Sequence, residues 1–243
     1  MIDKTKKYCY FICMRKLESK MQKAINDFDL IRDGDKIAVG LSGGKDSLIL
    51  LKLLNNFKRY SKQSFSLIAI CVDISNGKTN FDKMKRFCKD HNVELHIINS
   101  DIQNIVFNIR NEKNPCSLCA NLRRGILNSS AKELGCTKVA LAHHYDDMIE
   151  TFLLNFLFEG RLDTFKPKTY LSRVDIEVIR PLIYIEESEI KQKTIDFEIT
   201  KNPCPVNHKT KREEMKNLVE NLKKYQPEIK KRIFNIIKNN ILN

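Results

Sequence analysis

Three groups of residues in this 243-residue chain have the types and spacing to do chemistry. The first is Ser42-Gly43-Gly44-Lys45-Asp46-Ser47. Lys36 to Leu41 before it is short, apolar and β-branched, like a buried strand. Leu48, Leu51 and Leu54 after it recur at helical spacing, so the six residues turn a strand into a helix. Two glycines let the backbone bend tightly and approach a ligand, while a helix N-terminus offers unpaired N–H groups to an anion. Lys45 adds a mobile positive charge, and Ser42 and Ser47 add hydroxyl donors. These properties make a phosphate-binding turn. It is not a Walker A loop, which needs a glycine where Val39 stands and Ser or Thr where Asp46 stands.

The second group is Cys116-Ser117-Leu118-Cys119, which follows Asn114-Pro115 and opens a helical pattern carried by Leu118, Leu122 and Ile126. A Cys-x-x-Cys pair at a helix start places both sulfurs on one side, and the terminal N–H groups favour thiolate. Two thiolates do not complete a tetrahedral site. A third candidate is Cys204, in the proline-bounded turn Asn202-Pro203-Cys204-Pro205. Three cysteines suit an iron–sulfur cluster with one iron left open, or zinc with one outside ligand. By spacing alone, the Cys-x-x-Cys pair also fits a redox dithiol or a structural zinc site. Cys71, Cys88 and Cys136 fall in or beside predicted strands and helices and read as small core residues. Cys9 and Cys13, one helical turn apart, lack two further ligands nearby and receive no role.

The third group is Ala142-His143-His144-Tyr145-Asp146-Asp147, at another strand-to-helix junction. One aspartate is explained as a helix cap. A carboxylate beside bound phosphates commonly holds Mg2+. Arg123, four residues after Cys119, lies one turn further along the same helix face, placed to reach a phosphate or to steady thiolates. A solvated arginine is the plainer alternative, since Arg124 beside it looks no different.

The elements that must position these groups follow from hydrophobic periodicity. An amphipathic helix is predicted over Met14 to Leu30, then a strand over Lys36 to Leu41 and the helix after the phosphate turn. Further strands are predicted at Ser64 to Val72 (ending on Asp73), Val93 to Ile98, Thr137 to Ala142 and Ile176 to Ile179. Helices fall between them at about Phe81 to His91, Met148 to Phe158 and Glu186 to Phe197. Nearly all-apolar strands alternating with helices imply an α/β, Rossmann-like parallel sheet of five strands with helices on both faces. Ligands of such sheets bind at the carboxyl ends of the strands. The phosphate turn, Asp73 and His143-His144 are therefore expected to share one crevice. From Lys211 onward only helices are predicted. The chain divides into a basic helical segment 1–30, an α/β unit 31–200, and a basic helical segment 201–243 carrying Cys204.

Composition narrows the class. The chain is 42% hydrophobic, enough for a large core, and its formal charge is +13. Residues 1–25 carry seven Lys/Arg against two acids, and residues 201–243 carry eleven against four, so the middle is nearly neutral. Basic ends around a neutral body suggest contact with a polyanion, plausibly nucleic acid. No apolar stretch reaches membrane-spanning length. The run Tyr8 to Met14 lacks a small-residue cleavage site and leads into a charged helix, so it reads as a docking segment in a cytoplasmic protein. Eight cysteines in such a chain point to metal or catalysis rather than disulfides.

Ser42 to Ser47 resembles the PP-loop of the N-type ATP pyrophosphatases, which convert ATP to AMP and pyrophosphate while activating a carbonyl oxygen. Three more stretches narrow the resemblance: Cys116 to Cys119 with Leu122-Arg123-Arg124-Gly125-Ile126-Leu127, Ala142 to Asp147, and Pro203-Cys204. Together they are similar to the tRNA 2-thiocytidine biosynthesis proteins of the TtcA type, in one order from about residue 17 to 235. The resemblance implies that Cys116, Cys119 and Cys204 hold a [4Fe-4S] cluster whose fourth iron is free to bind sulfide. It implies that Ser42, Gly43, Gly44, Lys45, Asp46 and Ser47 bind the ATP phosphates, Asp73 and its neighbours the nucleoside, and Arg123 a phosphate. Asp147 would lie near the α-phosphate or its Mg2+, supported by His143. Lys45, Asp147 and the three cysteines would then carry catalysis. The implied reaction adenylates the C2 oxygen of a tRNA cytidine, expected at position 32 of the anticodon loop, and replaces it with sulfur.

The implied partners are tRNA and a sulfur donor, either sulfide or a cysteine-desulfurase system. Family members are commonly dimers, so a homodimer is an expectation too. Many relatives carry a second cysteine three positions after the one matching Cys204, where this chain has Asn207. Related 2-thiouridine enzymes carry zinc fingers at both ends, whose cysteines this chain lacks. A ligase resembling tRNA lysidine synthetase would leave all three cysteines unexplained. A nucleotide- or zinc-binding module without turnover would leave ATP intact.

Overall fold

The computed structural model describes residues 4–110, 115–200 and 211–242, with the side chains of residues 4–13 left aside. Its first helix, α1 (Lys4–Asp27), begins well before the predicted Met14. The apolar run Tyr8 to Met14 carries no breaker, so helical spacing continues backward through it. Met14, Leu17, Met21, Ala24 and Ile25 are buried. Strand β1 (Lys36–Gly40) leads through the glycine turn into helix α2 (Lys45–Phe57). Strand β2 (Ser66–Asp73), helix α3 (Asp82–Asp90) and strand β3 (Glu94–Asn99) follow. A helical turn α4 (Ile102–Asn104), running on as a π-helical stretch to Ile109, precedes the long helix α5 (Pro115–Glu133).

The second half runs through β4 (Lys138–Ala140), α6 (Tyr145–Glu159), β5 (Lys168–Leu171), β6 (Ile176–Ile179) and α7 (Glu187–Lys193). Helices α8 (Lys211–Leu222) and α9 (Ile229–Ile237), the latter extended to Leu242 by a π-helical turn, complete the described chain. The sheet has six strands in the order β3-β2-β1-β4-β6-β5. Five are parallel; β5 pairs antiparallel with β6, Tyr170 opposite Glu177. The five-strand expectation therefore held for the parallel strands and missed the edge. Four residues with only Tyr170 and Leu171 as apolar content give too weak a period to read.

Chain order reverses at β1, which lies between β2 and β4. Helices α1, α2, α3 and α7 pack on one face around Leu50, Leu53, Phe57 and Met84. On the other face α5 packs around Ala38, Ile70, Leu127 and Val139. A third cluster joins α6 to α8 and α9 through Met148, Phe152, Met215, Ile233 and Phe234. Helices α8 and α9 are thus packed onto the body.

At the amino edge of the sheet Lys138 is 2% exposed. Its Nζ lies 2.7 Å from Glu177, 3.3 Å from Asp35 and 3.1 Å from the Leu30 carbonyl oxygen. Removing the lysine would leave two carboxylates without their counter-charge. Lys138→Ala is expected to lower the unfolding free energy by about 3 kcal/mol in a urea titration, and a loss below about 1 kcal/mol would show the cluster to be structurally idle.

Candidate active site

The parallel strands bring their carboxyl ends to one edge, and each chemical group identified in the described chain begins there. At residue 40 the backbone of β1 passes close to α5: a Cβ on Gly40 would lie 2.9 Å from a Leu127 methyl and 3.2 Å from one of Leu141. A side chain at that position would make those leucine methyls shift. Three residues on, Gly43 has φ +82°, a conformation that L side chains rarely adopt. A Cβ there would also lie 2.9 Å from the Cβ of Thr200, whose N–H donates to the Gly43 carbonyl oxygen at 3.1 Å.

Inside the turn the hydroxyls stitch it closed. The Ser47 hydroxyl donates to the Gly44 carbonyl oxygen (2.9 Å) and accepts from the Ser42 N–H (3.2 Å). The Gly44 N–H donates to the Ser42 hydroxyl at 3.3 Å. Lys45 Nζ sits 3.2 Å from Asp46 Oδ1 and 3.3 Å from Glu187 Oε1 at the start of α7. Asp46 Oδ1 is a buried atom that makes no hydrogen bond among the described residues, the Lys45 ammonium beside it being an ion-pair neighbour. A carboxylate oxygen placed so is suited to a cation beside bound phosphates.

Asp73, at the end of β2, is buried and spent on its own loop. One oxygen accepts from the Ser75 N–H (2.9 Å) and hydroxyl (2.7 Å), the other from the Gly77 N–H (2.7 Å). Burial alone would raise its carboxyl, but these donors outweigh burial and hold it below the usual range. Asp73 thus shapes the β2–α3 loop at the sheet edge.

On the other side of β1, His144 caps α6: its Nδ1 accepts from the Asp147 N–H (3.4 Å), and Asp147 Oδ2 accepts from the His144 N–H (2.9 Å). The cap is therefore a histidine, with Asp147 as its reciprocal partner. The other Asp147 oxygen meets Arg212 of α8 at 3.1 Å. Asp146 is buried and structural. It accepts from Lys230 of α9 and, at 2.7 Å, from the Glu187 N–H, which ties α6 to α7. Glu187 is the junction of the basic side chains, with Lys216 at 2.8 Å, Lys191 at 3.1 Å and Lys45 at 3.3 Å. Burial pushes its carboxyl up, but hydrogen bonds from Lys216 and Lys191 and the charge of Lys45 prevail and hold it at about 2. Glu150, one turn into α6, goes the other way. Burial and the Asp147 charge push it to about 7 against Arg212 and Lys216.

Cys116 and Cys119 lie on the first turn of α5, the first exposed and the second half-buried. Eight residues separate Cys119 from Leu127, which packs on the phosphate-turn strand, so Cys119 lies about 12 Å further along the helix. Arg123 sits between them on the same face, and its charge opposes the burial that drives Cys71 on β2 to about 12. Cys204 lies outside the described residues. Among the described residues no group of three or more His, Cys, Asp or Glu is gathered as a metal site. The donors that are described, two cysteines three apart at a helix start, fit two corners of a thiolate-ligated centre.

His143 and Arg180 complete the edge. Arg180 directly follows β6, is 8% exposed, and donates from Nε to His143 Nδ1 at 3.2 Å. Arg180, Glu187 and Arg212 were not singled out from sequence. Arg180 was accessible to the strand-end rule, since it closes a predicted strand. The other two take their roles from partners distant in the chain.

A family model described as PP-loop domain matches residues 13–221. The chain is 36% identical over 233 residues to the tRNA-cytidine(32) 2-sulfurtransferase of Geobacter sulfurreducens, covering 93% of this chain and 90% of that one. It is 40% identical over 182 residues to a protein of the same name from Acinetobacter baumannii, covering 74% of this chain and 60% of that one. Among solved structures, it is similar to the U34-tRNA thiolase NcsA from Methanococcus maripaludis with its [4Fe-4S] cluster. That similarity has a TM-score of 0.77 at 27% identity and covers 92% of this chain and 77% of that one.

Two measurements check this geometry. Gly43→Ala imposes a left-handed backbone cost of about 1–2 kcal/mol, so ATP affinity by calorimetry is expected to fall about tenfold or more. Gly135→Ala, with φ +73° in open space, serves as the control and leaves affinity unchanged. Equal affinity for both variants would contradict the assignment of the turn. Glu187, held at about 2 against an ordinary 4.5, stabilises the fold above pH 4.5, and that contribution disappears as pH falls toward 2. Glu187→Gln is expected to flatten the stability profile across that window; an unaltered slope would remove Glu187 from the network.

Proposed function

The chain belongs to the PP-loop domain family, and on that premise we propose that it is an ATP-dependent tRNA sulfurtransferase that makes 2-thiocytidine, with position 32 of the anticodon loop as its target. The observation that carries this reading is the common edge of the sheet: the glycine turn, the Asp147 cap and the Cys116-Cys119 helix all open onto it. The chain-long likeness to relatives named for this reaction supports it.

Ser42 to Ser47 would take the β- and γ-phosphates of ATP on the N–H groups at the start of α2, with Lys45 adding charge. The C2 oxygen of the cytidine attacks the α-phosphorus, and pyrophosphate leaves. The oxygen, a poor leaving group on its own, then departs from C2 as part of AMP when sulfur takes its place. Negative charge grows at the phosphates during both steps, where Lys45, Arg123 and the helix N–H groups are set to meet it. A phosphate approaching Lys45 competes with Glu187 for the ammonium. Asp46, whose Oδ1 makes no hydrogen bond among the described residues, and Asp147 are the carboxylates that would hold Mg2+, which neutralises phosphate charge when bound.

Cys116, Cys119 and Cys204 would hold a [4Fe-4S] cluster, supplying nucleophilic sulfur at an iron that no cysteine ligates. Thr200, four residues before Cys204 in the sequence, hydrogen-bonds to the phosphate turn. That contact supports a third ligand drawn from the same edge. The solved Methanococcus maripaludis thiolase carries such a cluster. Sulfide or a cysteine desulfurase would provide the sulfur. The basic segments 1–30 and 201–243 would grip the tRNA backbone while a single-stranded loop base enters the crevice. No described helix is long and apolar enough to cross a membrane, in keeping with a cytoplasmic setting. A homodimer is part of the proposal. Uridine thiolation is the second reading, favoured by the likeness to a solved U34-tRNA thiolase.

Nucleoside mass spectrometry tests the proposal on unmodified tRNA incubated anaerobically with iron-loaded protein, Mg-ATP and sulfide. New 2-thiocytidine, absent with Cys119→Ala, is expected. A 2-thiouridine product would move the substrate and keep the chemistry. ATP left intact and no thionucleoside would overturn the enzyme reading.

A further inference from the structure

Arg180 is held from several sides. Its Nη1 donates to the Lys166 carbonyl oxygen at 2.6 Å and lies 3.3 Å from the Thr169 hydroxyl. Its guanidinium sits 5.2 Å from the Phe165 ring centre, and that ring lies 5.0 Å from the His143 ring. The remaining bond, Nε to His143 Nδ1 at 3.2 Å, admits one direction. An arginine has donors and no acceptor and keeps its protons at any ordinary pH. Nδ1 must therefore be the bare, accepting nitrogen. A neutral imidazole with a bare Nδ1 carries its proton on Nε2. None of the described hydrogen bonds uses Nε2, so that donor is not spent among them.

We propose that Arg180 is a positioning residue that fixes His143 as the Nε2–H tautomer, so that the imidazole offers a hydrogen-bond donor to an oxygen of the reacting pair, the pyrimidine C2 oxygen or an α-phosphate oxygen. The tautomer follows from the geometry alone. The role of the donor rests on the proposed function. His143 lies three residues past β4, the neighbour of the phosphate-turn strand, and both substrates present oxygen acceptors at that edge. A histidinium would also donate, but the charges facing His143 oppose it. Burial acts first, then Arg180, Arg212 of α8, His144 and Arg124 of α5, and together they push its pKa down to about 3. The ring thus stays a neutral donor across the working range, unaffected by proton uptake.

Long-range proton–nitrogen NMR of 15N-histidine-labelled full-length protein reads the tautomer without substrate. His143→Gln assigns the signal among five histidines. The wild type is expected to show a neutral ring with the proton on Nε2 from pH 8 down to pH 5. Arg180→Lys, which keeps a charged donor, retains that state. Arg180→Met is expected to mix the two tautomers and raise the titration midpoint toward the ordinary 6.5. A wild-type ring protonated on Nδ1, or charged at pH 7, overturns the proposal, as does an Arg180→Met spectrum identical to wild type. For the donor role, His143→Gln preserves an N–H donor and is expected to keep thiolation within about tenfold of wild type, whereas His143→Leu falls further. Equal rates for the two variants refute that role. If wild-type protein makes no thionucleoside at all, the functional reading fails while the tautomer result stands.

Discussion

The arrangement depends on a backbone approach at residue 40. Parallel β1 runs between β2 and β4, and at its carboxyl end Gly40 lies so close to α5 that a Cβ there would press on methyls of Leu127 and Leu141. That contact fixes the phosphate turn against one wall of the crevice and sets the helix bearing Cys116, Cys119 and Arg123 above it. The parallel register does the rest. Because β1, β2, β4 and β6 all point the same way, the turn, Asp73, His143 and Arg180 emerge at one edge although nearly 140 residues separate the first from the last.

Electrostatics then divides labour among similar side chains. Asp146, buried, and Glu187, half-buried, are acids saturated by Lys230, Lys216, Lys191 and Lys45, and they join the C-terminal helices to the loops around the phosphate turn. A buried carboxylate is tolerated only with such partners. Asp147, one residue from Asp146, is less enclosed and shares its charge between a helix cap and Arg212. Adjacent aspartates in the sequence thus do different work, because one faces α7 and α9 and the other faces α8. The basic C-terminal segment has a dual character as well: part of its charge neutralises the acids of the body, and the remainder, such as Arg232, is exposed to solvent.

Much of this was legible from the chain itself. The strand–turn–helix from Lys36 to Phe57 carries apolar periodicity, glycines and a lysine that all favour one conformation, and Ile176 to Ile179 was bounded as found. The edge strand Lys168–Leu171 was not, because its identity comes from pairing with β6 rather than from its own pattern. The α1 start was placed late for the opposite reason: an apolar run without breakers reads equally as docking segment or helix. Of the site, residue types gave the groups but not their partners. No spacing rule connects Lys45 to Glu187 across 142 residues, or Asp147 to Arg212 across 65. The saturation of Asp73 by its own loop was not legible either, since loop N–H groups that satisfy a carboxylate leave no periodic trace.

The central claim is that this crevice joins a tRNA base oxygen to the α-phosphorus of ATP before sulfur replaces it. The direct measurement uses tRNA carrying 18O at C2 of the target cytidine, with Mg-ATP, sulfide and iron-loaded protein under anaerobic conditions. Transfer through adenylation predicts that the AMP released contains the label, in step with the thionucleoside formed. Unlabelled AMP accompanying thiolated tRNA would contradict it, because the C2 oxygen would then have left by another route.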